Sequence, residues 1–165
     1  MIINEVKDIK KQTRLALPAD DFYLYRLGVA IYGFASINSF MVEIICHIDK
    51  SQNQSTLLSD KMSGQILKMF RDLLTNIKNT GKYPGIYDVM EHTANLFEEL
   101  NDQRTDFVHS YPITNTLGEQ ILHRRKDKTG KYFEIDDVFL DRFISALHDV
   151  SNGLYEIRKV VRTDL

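Results

Sequence analysis

A long apolar segment near the start of the chain, from residue 21 to about residue 50, limits the folds that the chain can adopt. Its apolar residues recur at three- and four-residue steps, as on a helix, and others fill a second side. The two sets are Leu24, Leu27, Ile31, Phe34, Met41 and Ile45, and Ile37, Phe40 and Ile44. A helix that is apolar around most of its circumference belongs inside a bundle or at a subunit interface. We expect Asp20 to cap this helix at its start.

The same segment is too short and too polar for a membrane span. Residues 27–42 carry no charge, but they include Ser36, Asn38 and Ser39 and fall short of the roughly 20 apolar residues that a span needs. Residues 1–14 lack the continuous apolar core of a secretory signal. The only cysteine, Cys46, allows no disulfide and no cysteine-based zinc site. We therefore expect a cytoplasmic protein.

The rest of the chain divides into further helices and one hairpin. A short N-terminal helix should stop before Pro18, and residues 51–59 are loop-like in composition, with Ser59 and Asp60 opening the next helix. The three remaining apolar stripes are Met62, Ile66, Phe70, Leu73 and Ile77; Val89, Thr93, Leu96, Leu100 and Phe107; and Val138, Phe143, Leu147, Val150, Leu154 and Ile157. Asn79, Gly81, Pro84 and Gly85 break the chain between the first two stripes. Asp136 and Asp137 should cap the last helix.

A turn-forming tetrad, residues 127–130, lies between two segments with strand character, residues 120–125 and 131–135. With 165 residues, 43% of them hydrophobic, the chain has the size and composition of one globular domain. We predict an all-α fold in a single domain, residues 1–165. It would have about four long helices, an N-terminal arm at residues 1–19 that holds the short helix, and a small β-hairpin inserted at residues 119–135.

The third long helix should end near His109, because Pro112 disfavours helical geometry at Tyr111. Its last residues, 98–111, are unusually polar. Arg104 and His109 lie about 140° apart around a helix, so one helix alone does not bring them together. Their convergence needs either the long arginine side chain to wrap round the helix or a second copy of the helix across a dimer.

An arginine and a histidine without a metal cluster suit the cleavage of RNA phosphodiesters. Histidine titrates near neutral pH and can take the proton from a 2′-hydroxyl, and Arg104 would bind the phosphate as charge develops. Tyr111 could hydrogen-bond phosphate or stack on a base. Asp106, near His109 on the helix, could fix the tautomer of the imidazole.

The string R-T-D-F-V-H-S-Y at residues 104–111 resembles the R-x-x-x-x-H motif of the HEPN superfamily, in its R-x-x-x-x-H-x-Y variant. The resemblance implies a small helical bundle that dimerises and cleaves RNA without metal or other cofactor, in toxin–antitoxin or phage-defence systems. Arg104 and His109 would be catalytic, in a groove between two protomers, with Asp106, Tyr111 and Thr105 in support. Thr105 stands where many members carry Asn, Asp or another strongly polar residue. In the toxin subset with the tyrosine, a nucleotidyltransferase antitoxin can adenylylate it, which would make Tyr111 a regulatory site.

The most basic short segment begins with His123, Arg124, Arg125 and Lys126. The net charge of -2 and the isoelectric point near 6.2 argue against a protein that coats nucleic acid, but they allow a local basic patch. These four residues are therefore candidates for binding an RNA backbone. The simpler alternative is a solvated strand edge protected by charge.

Four alternatives stay open at this level. Arg104 could pair with Glu98 or Glu99 while His109 caps the helix end. Asp106 could be a solvated residue and Tyr111 a packing anchor. The whole chain could be a non-catalytic dimer that binds RNA, a nucleotide or a protein. Finally, two pairs at four-residue spacing, Glu43 with His47 and Asp88 with His92, could contribute to a metal site in the bundle.

Overall fold

The computed structural model describes residues 6–12 and 20–162, and within them the chain forms six helices and a three-stranded antiparallel sheet. The helices are α1 Val6–Gln12, α2 Asp21–Ile48, α3 Gln54–Asp60, α4 Ser63–Thr80, α5 Tyr87–Val108 and α6 Asp137–Val161, with a 3₁₀ turn at Pro84–Ile86. The strands are β1 Ser110–Thr114, β2 Gln120–Arg124 and β3 Glu134–Ile135. The mainly α-helical fold with a small hairpin is confirmed.

The ends of the long helices follow local capping chemistry. The Asp20 carboxylate accepts a hydrogen bond from the Phe22 amide at 2.6 Å, and the Asp136 carboxylate accepts one from Phe139 at 2.7 Å. Gly81 ends α4 in the left-handed conformation, with φ of 67°, and its amide donates to the Ile77 and Lys78 carbonyls. These three boundaries agree with the sequence expectation.

A single apolar core fills the space between the long helices. The central helix, α2, packs chiefly against α6; α5 packs on α6 and on α4. Phe34 of α2 stacks on Phe97 of α5, with ring centroids 5.5 Å apart, and lies 6.5 Å from Phe143 of α6. All three rings are buried, so α2, α5 and α6 are held together at the level of Phe34.

The segment at residues 51–59 was predicted to be a loop, and this is wrong in its second half. The Asn53 side chain accepts a hydrogen bond from the Thr56 amide and caps the short helix α3, whose Leu57 is buried in the core. The next helix begins at Ser63 and not at Ser59 or Asp60. Met62, expected in the apolar stripe of α4, is 80% exposed because it precedes the first turn.

The predicted hairpin at residues 119–135 is present as β2 and β3, but the sheet has one more strand than expected. β1 pairs with the whole of β2, with Ser110 opposite Arg124 and Thr114 opposite Gln120. Pro112 had indicated only the end of the helix. It is accommodated because β1 is an edge strand, where a residue without an amide hydrogen costs little.

The buried Tyr23 hydroxyl ties the sheet to the bundle. It accepts a hydrogen bond from the Leu122 amide at 2.9 Å and donates one to the Ile135 carbonyl at 2.8 Å. Burial, as the largest effect, raises the pKa of this phenol, which therefore remains a donor. The hydroxyl bridges β2 and β3 from the side of α2.

The N-terminal arm is described only as α1. Val6–Gln12 is helical, in agreement with a short N-terminal helix. Ile2, Pro18 and the end of the arm, with the predicted stop before Pro18, lie outside the described residues.

By length and composition, α2 could cross a membrane, with a mean hydropathy of 1.6 in its most apolar window. A core helix of a globular domain passes the same test. In its C-terminal half, Met41, Val42 and Ile44 are fully buried against the other helices. That half is a core helix, whereas part of the N-terminal half is exposed.

Candidate functional site

The residues of the motif lie where α5 ends and the sheet begins. Phe107 is buried and packs edge-on against Phe143 of α6, with ring centroids 5.1 Å apart. His109 follows as the capping residue, and its amide donates to the Thr105 carbonyl at 3.1 Å. The end of α5 is thus fixed to the core, and the side chains around it project from a rigid support.

Arg104 is exposed and its guanidinium lies over the Phe34 ring, 5.8 Å from the ring centre. The alternative in which Glu98 binds it is wrong, because Glu98 pairs with Arg71 at 2.7 Å. Among the described residues, Arg104 has neither a hydrogen bond nor an ion pair. Its five donors therefore remain open to a ligand.

His109 is also exposed, and within residues 6–12 and 20–162 its imidazole has no hydrogen-bond partner. Its carbonyl accepts a hydrogen bond from the Arg125 amide at 3.2 Å, which places it beside the last residues of β2. Arg104 instead lies against α2. No contact joins the two side chains in the described part of one chain, as the 140° separation on the helix had predicted.

Asp106 is the main correction at this site. It is neither solvated nor available to His109, since only 5% of its side chain is exposed and both oxygens are occupied. Arg124 Nε donates to Oδ1 at 3.0 Å, and Lys131 Nζ lies 2.9 Å from Oδ1 and 3.0 Å from Oδ2. Asp106 therefore anchors the sheet to α5.

Arg124 is the second correction, because it was expected to bind an RNA backbone. Its side chain is 8% exposed, and it also donates to the Arg125 carbonyl at 2.8 Å and to Asp127 at 2.9 Å. Hydrogen bonds from Thr129, above all from its hydroxyl, lower the pKa of the Asp127 carboxyl, as do the Lys131 amide and the charge of Arg124. The network of Asp106, Arg124, Asp127 and Lys131 is internal and leaves no free cation at Arg124.

Thr105 has a similarly local role. Its hydroxyl donates to the Asn101 carbonyl one turn earlier at 3.0 Å, a bond common for threonine inside helices. Asn101 in turn accepts a hydrogen bond from the Ser63 hydroxyl of α4 at 2.6 Å. The first bond lies within α5, and the second joins α5 to α4.

Three aromatic side chains lie close together at the sheet. Tyr111 and His123 are cross-strand partners, and their rings lie 5.8 Å apart. Tyr132, 59% exposed, approaches to 4.2 Å from His123. A side-chain hydrogen bond with Tyr132, as the largest effect, raises the pKa of Tyr111. We call Tyr111, His123 and Tyr132 the aromatic face.

Cationic side chains border the aromatic face. The Arg125 guanidinium lies 5.5 Å from the centre of the Tyr111 ring, within cation–π range. Arg125 and Lys126 are exposed. Of the four basic-segment residues, Arg125 and Lys126 are therefore exposed, His123 is half-buried and Arg124 is buried.

The two pairs proposed for a metal site do not form one. His47 Nε2 and Glu43 lie 3.5 Å apart, and Glu43 also faces Arg158 at 3.5 Å. Asp88 and His92 line a different surface, a groove between α5 and α6. Within the described parts of the chain, no three His, Cys, Asp or Glu residues are arranged to hold a metal ion.

One face of the N-terminal half of α2 is exposed, and its first residues, Leu24 and Tyr25, line an open groove with Ile9 and Lys10 of α1. Leu24, Tyr25, Ile31 and Tyr32 are all exposed, with Tyr32 at 79%, and a Cβ added at Gly28 would meet no atom within 4 Å. These five residues form what we call the α2 face. They recur at three- and four-residue steps and thus form a continuous stripe. The apolar periodicity had indicated burial here, without distinguishing a core from an interface.

Sequence reasoning missed Tyr132 altogether. The signal was present, since Tyr132 follows the turn of a hairpin whose facing strand carries His123. The predicted strand at residues 131–135 contained Tyr132, but β3 begins only at Glu134, so Tyr132 precedes the strand.

Comparisons with protein-family models, curated proteins and solved structures find no match for this chain. The resemblance to the HEPN superfamily therefore remains a prediction that rests on residues 104–111 and on the helical pattern around them.

Proposed function

We propose that the protein is a metal-independent endoribonuclease of the HEPN type that acts as a homodimer. The observation that carries the proposal is that Arg104 and His109 are both exposed and free of hydrogen-bond partners in the described chain, at the fixed end of α5. By contrast, Arg26, Arg71 and Arg124 are engaged with carboxylates. A phosphate-binding arginine and a proton-accepting histidine must be open to the substrate in this way.

The proposed reaction uses the 2′-hydroxyl of RNA as the nucleophile. The neutral imidazole of His109 takes the proton from this hydroxyl, and the 2′-oxygen forms a bond to phosphorus. The bond from phosphorus to the 5′-oxygen breaks, and that oxygen receives a proton from the protonated His109 of the second protomer. Arg104 stabilises the charge on the non-bridging oxygens. The products are a 2′,3′-cyclic phosphate and a 5′-hydroxyl.

The dimer is part of the proposal because one chain keeps Arg104 and His109 apart. The α2 face is a candidate contact, since it exposes a contiguous apolar stripe of the kind that marks protein interfaces. Arg104 lies next to α2 through Phe34. Pairing two α2 helices would therefore bring the two Arg104 side chains toward a shared cleft.

The resemblance also motivates a biological setting for this activity. We propose a cytoplasmic toxin or phage-defence effector, with an antitoxin of the nucleotidyltransferase type as a candidate partner acting at Tyr111. The partial exposure of Tyr111 at the sheet is compatible with such a modification.

The test is cleavage of single-stranded RNA by the purified protein with and without EDTA. We expect activity that survives the chelator and yields cyclic phosphate ends. His109→Ala should lower the rate by about 100- to 10,000-fold, the usual contribution of a general base. Arg104→Ala should also lower the rate strongly.

Matched controls lie on the same helices. His92→Ala removes another exposed histidine of α5, and Arg142→Ala removes an exposed arginine of α6. Both should leave the rate unchanged. Cleavage that persists in folded Arg104→Ala and His109→Ala, or that EDTA abolishes, would rule out the proposal.

A second candidate is a non-catalytic RNA-binding dimer. The observation in its favour is that the aromatic face is complete within one chain, whereas Arg104 and His109 are not in contact. RNA that binds without being cut under any buffer condition would select this second function.

A further inference from the structure

The rings of the aromatic face belong neither to the apolar core nor to the hydrogen bonds around Asp106. Side chains alternate between the two faces of a strand, and the Arg124 side chain lies on the face directed at Asp106. His123, the preceding residue, therefore presents its ring on the other side, as does its cross-strand partner Tyr111. The apolar core contains neither ring, and both are only half-buried.

The three rings do not cover one another. Tyr111 and His123 are inclined by 38°, and His123 and Tyr132 by 54°. Tilted rings leave part of each ring face open, and Tyr132 is the outermost of the three, at 59% exposure. A flat, apolar ligand that stacks on Tyr132 would cover this open area.

The orientation of the central ring is fixed by the backbone. His123 Nδ1 lies 2.9 Å from the Arg124 carbonyl oxygen. A carbonyl can only accept, so Nδ1 carries the hydrogen and neutral His123 keeps its lone pair on Nε2. The histidine is thus held in place before any ligand arrives.

Charge on the two sides of the aromatic face is unequal. Arg125 and Lys126 are exposed on one side, with Arg125 over the Tyr111 ring. On the other side, Glu134 of β3 lies opposite His123 and is exposed. A ligand with a planar group and a phosphate therefore has one favoured orientation, with its phosphate toward Arg125 and away from Glu134.

We propose that the aromatic face binds unpaired bases of single-stranded RNA, with a base stacked on Tyr132 and the adjoining phosphate at Arg125. The choice of RNA rests on the proposed function. The requirement for unpaired bases follows from the rings, because a base inside a duplex has both faces covered by its neighbours. The substrate class of the nuclease is then single-stranded RNA.

The experiment measures binding separately from cleavage. A labelled RNA of about twelve nucleotides, within the usual site sizes of such surfaces, is titrated with the His109→Ala protein, either single-stranded or annealed to its complement. Adding Tyr132→Ala should weaken binding of the single strand by about 5- to 100-fold, the effect typical of one lost stacking contact. Tyr132→Phe, which keeps the ring, should stay within about twofold of the parent.

Two further variants guard against a folding artefact. Tyr132→Leu supplies a second ringless side chain if the alanine variant is unstable. Tyr132→Trp introduces a single reporter, because the chain contains no tryptophan. Its fluorescence should be quenched by the single strand in a saturable way and should not respond to the duplex.

The outcomes separate this inference from the proposed function. Tight single-strand binding through Tyr132 without any cleavage by the wild-type protein leaves the inference standing and removes the nuclease. Cleavage by the wild-type protein with unchanged binding in Tyr132→Ala or Tyr132→Leu removes the inference and leaves the nuclease. Duplex RNA that binds as tightly as the single strand would also overturn the inference.

Discussion

At the scale of single residues, Asp106 accepts charge-assisted hydrogen bonds from Arg124 and Lys131 at a site almost closed to water. In the sequence it is one of several acidic residues near the end of α5. Burial decides its role, because a buried guanidinium needs a counter-charge and a buried carboxylate needs donors. The pair therefore stabilises the junction of helix and sheet from which His109 and Tyr111 project.

Asp106→Asn should lower the free energy of unfolding by about 3 kcal/mol, since it leaves Arg124 buried without its main counter-charge. Urea unfolding followed by circular dichroism measures the change. Asp102→Asn, an exposed carboxylate one turn earlier, is the matched control and should change stability by less than about 0.5 kcal/mol. Equal effects in the two variants would contradict the structural role of Asp106.

At the scale of elements, the sheet depends on a helix from the other end of the sequence. Tyr23 of α2 supplies a hydroxyl that completes the hydrogen bonding between Leu122 of β2 and Ile135 of β3. A strand of two residues has little stability of its own. α2 therefore helps to hold β3 in place, and this also positions the aromatic face.

Tyr23→Phe removes only this hydroxyl, so the Leu122 amide and the Ile135 carbonyl each lose that hydrogen-bond partner. We expect the free energy of unfolding to fall by about 1 to 3 kcal/mol, the cost of buried polar groups left unpaired. Hydrogen exchange should accelerate at the Leu122 amide in particular. Tyr32→Phe removes a hydroxyl from an exposed tyrosine of the same helix. It should change neither the free energy of unfolding nor the exchange rate of the Leu122 amide.

At the scale of the whole molecule, α2 has two different environments. Its C-terminal half is enclosed by the bundle, while the α2 face lines the N-terminal half with exposed apolar side chains. Exposed apolar stripes of this kind are suited to self-association. The proposed dimer would cover the exposed face of the N-terminal half of α2, as the bundle covers the C-terminal half.

Tyr32→Glu should convert the proposed dimer into a folded monomer, because it places a charge on the most exposed residue of the α2 face. Sedimentation velocity gives the mass, and circular dichroism checks the fold. Met62→Glu alters an equally exposed apolar residue outside this face and should leave the dimer intact. A wild-type monomer, or a dimer unaffected by Tyr32→Glu, would contradict the α2 face as the interface.

Loss of the dimer should also abolish RNA cleavage if the cleft is shared. The rate of Tyr32→Glu, measured beside that of Met62→Glu, links the interface to the site. Full activity in the monomeric variant would mean that one chain brings Arg104 and His109 together by itself.

Most helix boundaries were predictable because caps and apolar periodicity are local signals. Asp20, Gly81 and Asp136 act on residues within one turn of themselves, and the position of residues 104–111 at the end of α5 followed from Pro112 in the same way. Local signals failed at α3 and β1, where a short segment takes its structure from what it packs against.

By itself, the sequence determined a mainly helical bundle and a motif at the end of its third long helix. Only the tertiary structure decided that Asp106 and Arg124 are internal partners, that Tyr111 meets His123 and Tyr132, and that the α2 face is exposed in the part of the chain that the structure describes. The physical reason is that burial and pairing depend on residues far apart in the chain. A charged residue looks the same in a sequence whether its side chain is solvated or paired with a buried partner.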